Sequence, residues 1–390
     1  MDAAGRARGR HMRVVFPAGG GEHNIQQIYG SKDTGYSVPR GAGDTISRVF
    51  RHSGGEVEQV ERIRDARYDN IKALLMFSVA AAHFAEPVSS GSKIYYFLIM
   101  IHCYTIPLYV FLSGRFASFS LQRILRRLVW PYVVFQLLYL LLSNCVLGVE
   151  QAYQFHTPYW LLWYLLAMIE WTLTVPLLQR LRGRGRWIFL AGTVLAALAA
   201  PYSSHVYYKW SLGRFFYYYP FFCLGYFCRD RDWHFSGKWK AALLAGTAAL
   251  LLVLYCGNLP LHVEWWYGAM PYENAAANYT PLHRVVTYAI ALVMGGCILA
   301  WMPARRTFVS TIGQNATSIY VWHGMIVKLA VACGVYAYFG SRTVTRLLAV
   351  LAAAVLVTLL LGSPPAARLT RPFICCPFRR RKSEENEKSA

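Results

Sequence analysis

Arg67-Tyr68-Asp69-Asn70-Ile71-Lys72, then Ala73-Leu74-Leu75-Met76-Phe77-Ser78-Val79-Ala80-Ala81-Ala82, then His83-Phe84, is an apolar run with a lysine at its start and a histidine eleven residues on. Eleven steps of about 100° return to nearly the same helix face, and the axial rise between the two is about 16 Å. That is roughly half of a ~30 Å hydrocarbon core. A helix spanning a membrane here would put Lys72 at the headgroups and His83 near the midplane, on one line. An ionisable side chain at that depth is costly, so its default reading is functional. The other reading is a polar core residue bonded to a neighbouring helix.

The rest of the chain supports a membrane setting. It is 56% hydrophobic with 15% aromatic residues and a mean hydropathy of +0.30, and the aromatics suit interfacial belts. Ten apolar segments are long enough, or nearly so, to cross: 70–89, 95–114, 128–148, 159–179, 187–204, 211–228, 239–257, 283–303, 315–336 and 344–362. The expected fold is therefore all-α, a polytopic integral membrane protein of about ten transmembrane helices. The fifth and sixth segments are short and separated only by the polar and aromatic stretch Ser203–Trp210.

Charge gives an orientation. With the N-terminus in the cytoplasm, the inside segments 1–72, 115–127, 180–186, 229–240, 304–311 and 363–390 hold 33 of the 40 lysines and arginines. The outside connections carry chiefly Lys93, Lys209, Arg214, Arg284 and Arg342. The positive-inside rule favours ten spans with both termini cytoplasmic. The net charge of +21 is mostly this asymmetry plus the tails, which argues against nucleic acid as a partner. The lipid bilayer is the expected surrounding, either a bacterial inner membrane or a eukaryotic secretory-pathway or plasma membrane.

Residues 1–66 are rich in Gly, Arg and Ser without a long apolar run, so they read as a disordered basic cytoplasmic tail. No apolar h-region follows the basic start, and the first span is expected to act as its own insertion signal. Residues 67–362 form the expected ten-helix domain, and 363–390 a cytoplasmic C-terminal tail. Nine cysteines are scattered without metal or disulfide spacing. Cys375-Cys376, beside Arg379-Arg380-Arg381-Lys382, permit S-palmitoylation, or are inert thiols. The outside loop 258–282 combines aromatics, amides and carboxylates, suited to sugar binding or to an aromatic belt. Asn278-Tyr279-Thr280 within it is a glycosylation sequon.

Five clusters can carry chemistry. A neutral imidazole at His83 can abstract a proton from a hydroxyl or carry an acyl group. Glu86, three residues on, either orients that ring or is an outer-interface carboxylate, the preferred reading. Second come Ser113-Gly114-Arg115-Phe116, then Arg123, Arg126 and Arg127 before Pro131-Tyr132. Arginines at a cytoplasmic helix start can clamp phosphates or simply anchor the loop, and a helix break at Ser-Gly would admit a ligand close to the backbone. Third is His156 through Trp160, Trp163 and Tyr164. Fourth is Arg214 with Tyr219-Pro220-Phe221-Phe222-Cys223-Leu224-Gly225-Tyr226. Fifth is Ser318, Tyr320 and a second intramembrane histidine, His323, with Lys328 further along. No HExxH, P-loop or dinucleotide fingerprint occurs, no metal is expected, and Gly183–Arg186 (GRGR) reads as a basic loop.

In this order, these segments resemble the membrane-bound acyltransferase-3 family, nearest its fucose 4-O-acetylase-like branch. The resemblance rests on Lys72 and His83, a basic residue and a histidine with ten between. It rests also on Ser113-Gly114 with Phe116, on Arg123, Arg126 and Arg127 before Pro131-Tyr132, on residues 220–226, and on Ser318, Tyr320 and His323. It covers about residues 67–340. Many members carry arginine where this chain has Lys72, and Phe116 falls one position early. The resemblance implies O-acyl transfer, usually of acetyl, from a cytoplasmic acyl-CoA to a carbohydrate, glycan or similar extracytoplasmic hydroxyl. Under it Lys72, Arg123, Arg126 and Arg127 bind the donor phosphates, with acetyl-CoA as the donor. His83 is the base or acyl carrier, and Ser113 donates to the developing oxyanion. Trp160, Arg214, Tyr320 and His323 face substrate. The competing class is a proton-coupled transporter or flippase of a polar lipid or glycan, with His83, His323 and Lys328 as a relay. Its scarcity of intramembrane acids tilts the sequence towards the enzyme. A third reading is a non-catalytic scaffold with a degenerate site.

Overall fold

The computed structural model describes residues 13–15, 47–51, 57–62, 65–89, 93–231, 233–256, 261–274 and 279–377. The chain divides into two units, Met1–Ala66 and Arg67–Ala390. The first contains three short strands, β1 (Arg13–Val15), β2 (Ser47–Arg51) and β3 (Val57–Arg62). They pair antiparallel in the order β1-β2-β3, with a register irregularity between Arg48 and Phe50. Apart from these strands and residues 65 and 66, the expected tail 1–66 lies outside the described residues, as do Asn278 of the sequon and the arginines at 379–381.

Every described element of the second unit is helical. In chain order these are α1 (Ala66–Ala85), α2 (Lys93–His102), α3 (Thr105–Arg115), α4 (Leu121–Ile124), α5 (Trp130–Leu141), α6 (Trp163–Arg180), α7 (Arg184–Ala199) and α8 (Leu212–Phe227). They continue as α9 (Gly237–Cys256), α10 (Glu264–Tyr267), α11 (Pro281–Trp301), α12 (Phe308–Gln314), α13 (Ala316–Ala332), α14 (Thr343–Gly362) and α15 (Pro364–Ile374). Among the described residues eight helical stretches are long and apolar enough to cross a membrane. The two remaining expected spans are the shorter helices α8 and α13. The fifth and sixth expected spans are indeed separate helices, α7 and α8. The turn between them places Trp210 and Ser211 at φ of 54° and 51°.

Glycines set the closest helix contacts. Gly114 on α3 lies against the Phe222 carbonyl of α8, and Gly225 on α8 lies against the Phe111 carbonyl of α3. The two backbones thus touch reciprocally, the small-residue packing that membrane helices use where burial of apolar area gives no driving force. This corrects the expected helix break at Ser113-Gly114. Helix α3 runs through both residues to Arg115, and Gly114 serves the packing of α8 rather than the approach of a ligand. On α12, Gly313 lies against the Asp69 carbonyl of α1 in the same manner.

Residues 363–377, expected as tail, begin with helix α15. Ser363 caps it by accepting from Ala366 N. Thr370 on its buried side accepts from Trp322 Nε1 (3.0 Å) and shares a hydrogen bond with the Ser318 hydroxyl (2.8 Å), both of α13. Phe373 packs on Trp322 and Phe135. The C-terminal helix is therefore a support for α13, the helix that carries His323.

Candidate active site

His83 stands in the last turn of α1, nearer the end of the Ala66–Val88 span than the midplane position expected from spacing alone. Pro87 lies in the following 3-10 turn (Glu86–Val88), where its missing N–H ends the α-helical ladder. The turn brings Glu86 under the imidazole, with Oε1 3.1 Å from Nδ1. With the carboxylate accepting, Nδ1 carries the proton and Nε2 keeps a free lone pair. Of the two readings of Glu86, the geometry favours the orienting one. Its carboxylate also interacts electrostatically with His102 and Lys328.

Two rings from distant parts of the chain close on His83. The Trp160 indole lies edge-on at 4.6 Å between centroids, and the His323 imidazole lies at 5.3 Å. Lys328 Nζ sits 4.8 Å from the Trp160 ring centroid, within cation–π range. Trp160 adopts φ of 41°, a left-handed conformation unusual for a bulky residue and held only where surroundings dictate it. Those surroundings are α13 and α5. Tyr320 Oη donates to the Leu161 carbonyl (2.7 Å), and Tyr139 Oη to the Val321 carbonyl (3.2 Å). Gly324 supplies the room, because a Cβ there would collide with the Leu161 side chain and stand 3.0 Å from the Trp160 ring.

His323 is 1% exposed. Its Nδ1 lies 2.9 Å from the Ile319 carbonyl. A carbonyl only accepts, so Nδ1 is the protonated nitrogen and Nε2 the acceptor. That Nε2 is buried without a hydrogen-bond partner. A buried acceptor left empty costs about 1–3 kcal/mol, and functional sites are where such groups persist. Thus the His83 end holds two imidazoles, each with its Nδ1 engaged, and the Nε2 of His323 is buried without a partner.

Arg214 joins the same end indirectly. Its Nε donates to the Tyr267 carbonyl (3.3 Å), and its guanidinium lies 4.8 Å from the Trp163 ring and 5.1 Å from that of Tyr208. Tyr267 in turn packs on His102 at 5.2 Å, and His102 is one of the charge neighbours of Glu86.

The Lys72 end is built differently. Lys72 Nζ lies 3.0 Å from Asp69 Oδ1, and the buried Asp69 also accepts from Gln314 (3.3 Å). The ammonium faces the Phe116 ring at 6.0 Å, and Phe116 packs on Tyr68. Arg115 is buried, donating to the Cys228 carbonyl (2.7 Å) and lying 5.1 Å from the Tyr68 ring. Arg123 and Arg127 are exposed and Arg126 half-buried, on α4 and the π-helical turn Leu125–Val129. Arg123 donates to Ser118. Among the described residues the ion pair of Lys72 is with Asp69, and the side-chain hydrogen bond of Arg123 is with Ser118.

Ser113 is placed away from His83. Its hydroxyl bonds the Tyr109 carbonyl (3.0 Å) and the Tyr164 hydroxyl (2.6 Å). The expected oxyanion role finds no contact with the histidine, because Ser113 lies two residues before the end of α3, at the Lys72 side. Gly324 and His102 were not singled out from sequence, and Asp69 was read only as part of the stretch Arg67–Lys72, without a role. Only Asp69, three residues before Lys72 on a helix, carried a local signal. Among the described residues no group of three or more His, Cys, Asp or Glu is placed to hold a metal ion.

The acyltransferase-3 family model, an acyltransferase domain, matches residues 65–363. The match takes in both ends of the site, from Lys72 and His83 to His323. No curated protein and no solved structure matches the chain. The chain belongs to the acyltransferase-3 family, and its apolar helices fit a multi-pass integral membrane protein.

Proposed function

We propose that this acyltransferase moves an acetyl group from cytoplasmic acetyl-CoA to a hydroxyl of an extracytoplasmic carbohydrate, in the manner of the fucose 4-O-acetylase-like branch. The observation that carries the reading is the pair of imidazoles at the His83 end, 5.3 Å apart, with Glu86 on one of them. The His83 Nε2 lone pair takes the acceptor proton as its oxygen attacks the thioester carbonyl. The C–S bond breaks, the thiolate leaves with the proton returned from His83, and the products are the O-acetyl ester and free CoA. Glu86 steadies the imidazolium that forms between these steps, the work a carboxylate does for histidine in acyl transfer generally. His323 Nε2 offers an acceptor for a second hydroxyl of the sugar, and Trp160 a face for its ring. Lys72 is the donor-side cation on the same helix, about 16 Å of axial rise from His83, a gap for the extended pantetheine arm to cross.

The test is CoA release by protein in lipid nanodiscs, supplied with acetyl-CoA and a panel of soluble glycans. Release that depends on a glycan, with acetyl found on its oxygen, supports the reading. Transfer to an amine or to water alone, with every hydroxyl acceptor inert, overturns it.

A further inference from the structure

A second concave site lies at the start of α7, in the loop that reads from sequence only as basic. A cavity of about 470 Å³ is lined by Arg184, Arg186 and Trp187 of α7, by Phe227 at the end of α8 and by Arg231 in the loop that follows. This volume falls within the range of small-molecule sites. The Arg231 guanidinium lies 5.9 Å from the Trp187 ring centroid. Arg186 spends only its Nε, on the Leu181 carbonyl (3.1 Å). The one acid on the lining, Asp230, is turned outward at 89% exposure and lies 3.9 Å from Arg229. Among the described residues no carboxylate lies within ion-pair distance of Arg184, Arg186 or Arg231.

Loop anchoring accounts for arginines at this end of the bundle. It does not account for three of them converging with an indole on one cavity. Unpaired guanidinium forks match phosphate oxygens bidentately, and an exposed indole offers a stacking face to a nucleobase. The cavity is also joined to the Lys72 end. Arg229 donates to the Ala117 carbonyl (3.4 Å), Arg115 to the Cys228 carbonyl, and between these residues Phe116 faces Lys72.

Resting on the proposed acetyl-CoA reading, we infer that this cavity is the seat of the donor's phosphorylated adenosine head. Arg184, Arg186 and Arg231 take the phosphates and Trp187 stacks on the adenine. The pantetheine arm then leaves past Phe116 and Lys72 towards His83. The head is thereby assigned to α7 and the α8–α9 loop, rather than to Arg123, Arg126 and Arg127.

The test uses full-length protein in nanodiscs of neutral lipid, with acetyl-CoA, adenosine 3′,5′-bisphosphate and S-acetylpantetheine as separate probes. The charge reversal Arg184→Glu with Arg231→Glu, and separately Trp187→Ala, should weaken the first two by about tenfold or more, the effect of losing one charge-assisted hydrogen bond. Binding of S-acetylpantetheine, which lacks the head, should not change. Unchanged affinity for adenosine 3′,5′-bisphosphate in both variants, with acetyl-CoA still bound, overturns the site but leaves the enzyme reading standing. Binding of neither acetyl-CoA nor the bisphosphate by wild type overturns both. Loss of binding to vesicles containing anionic phospholipid, with nucleotide affinity intact, would assign the arginines to a lipid headgroup and overturn the inference. An Arg123→Glu, Arg127→Glu variant serves as the control, and a greater loss of bisphosphate binding there than in the α7 variant also overturns it.

Discussion

Glu86 Oε1 stands 3.1 Å from His83 Nδ1, on the turn that Pro87 separates from α1. One proline thus converts an i, i+3 spacing into a positioned acid–histidine pair. The carboxylate fixes the tautomer of the ring and offsets the charge it gains when it takes a proton.

Replacing Glu86 by Gln keeps a hydrogen-bond acceptor and removes the charge. The expected result is a kcat lower by about ten- to a hundredfold, the worth of one charge-assisted hydrogen bond. The KM for acetyl-CoA should hardly move, since Glu86 lies far from the Lys72 end. Steady-state kinetics on both substrates checks this, and a change confined to the donor KM would count against the pairing.

His323 makes a different prediction. Its buried Nε2 lacks a protein partner, so the acceptor is expected to supply one. His323→Phe should raise the acceptor KM by roughly tenfold, the cost of one unmade hydrogen bond, with donor affinity retained. Equal loss on both substrates would point instead to a collapsed site.

Gly324 tests how the site is held. Gly324→Ala would drive a methyl into Leu161 and against Trp160, an overpacking cost of about 1–3 kcal/mol. A lower melting temperature and weaker quenching of indole fluorescence on acceptor binding are expected. Gly192→Ala, where no atom beyond the local helix backbone lies within 4 Å of the added carbon, should leave both unchanged.

The glycines between α3 and α8 are stricter. A Cβ at Gly114 or Gly225 would meet backbone carbonyls rather than flexible side chains, and a backbone in a packed helix pair cannot yield locally. Gly114→Val and Gly225→Val are expected to abolish accumulation of folded protein, measured as monodisperse yield in detergent. Normal yield from either would contradict the reciprocal contact.

Much of this was legible from hydropathy and charge, because membrane spans announce themselves by length and apolarity. Among the described residues eight helices long and apolar enough to cross overlap eight of the ten segments, and the Lys72–His83 spacing lay within one helix, where periodicity is enough. What sits beside that helix was not legible. A span that is apolar all round does not reveal which face packs inward, so nothing local says that His323 meets His83. The left-handed turn at Trp160 is imposed by α13 and α5 rather than by its own neighbours. Ser113-Gly114 misled for the same reason, since the glycine's role depends on Phe222, more than a hundred residues later.

The central claim is that His83 performs acyl transfer. The most direct measurement is acetyl transfer from radiolabelled acetyl-CoA by nanodisc-held wild type and His83→Ala, alongside a binding measurement of acetyl-CoA to each. Loss of turnover and of any label on the protein, with acetyl-CoA still bound by the variant, is the predicted result. Turnover retained by His83→Ala would contradict the account.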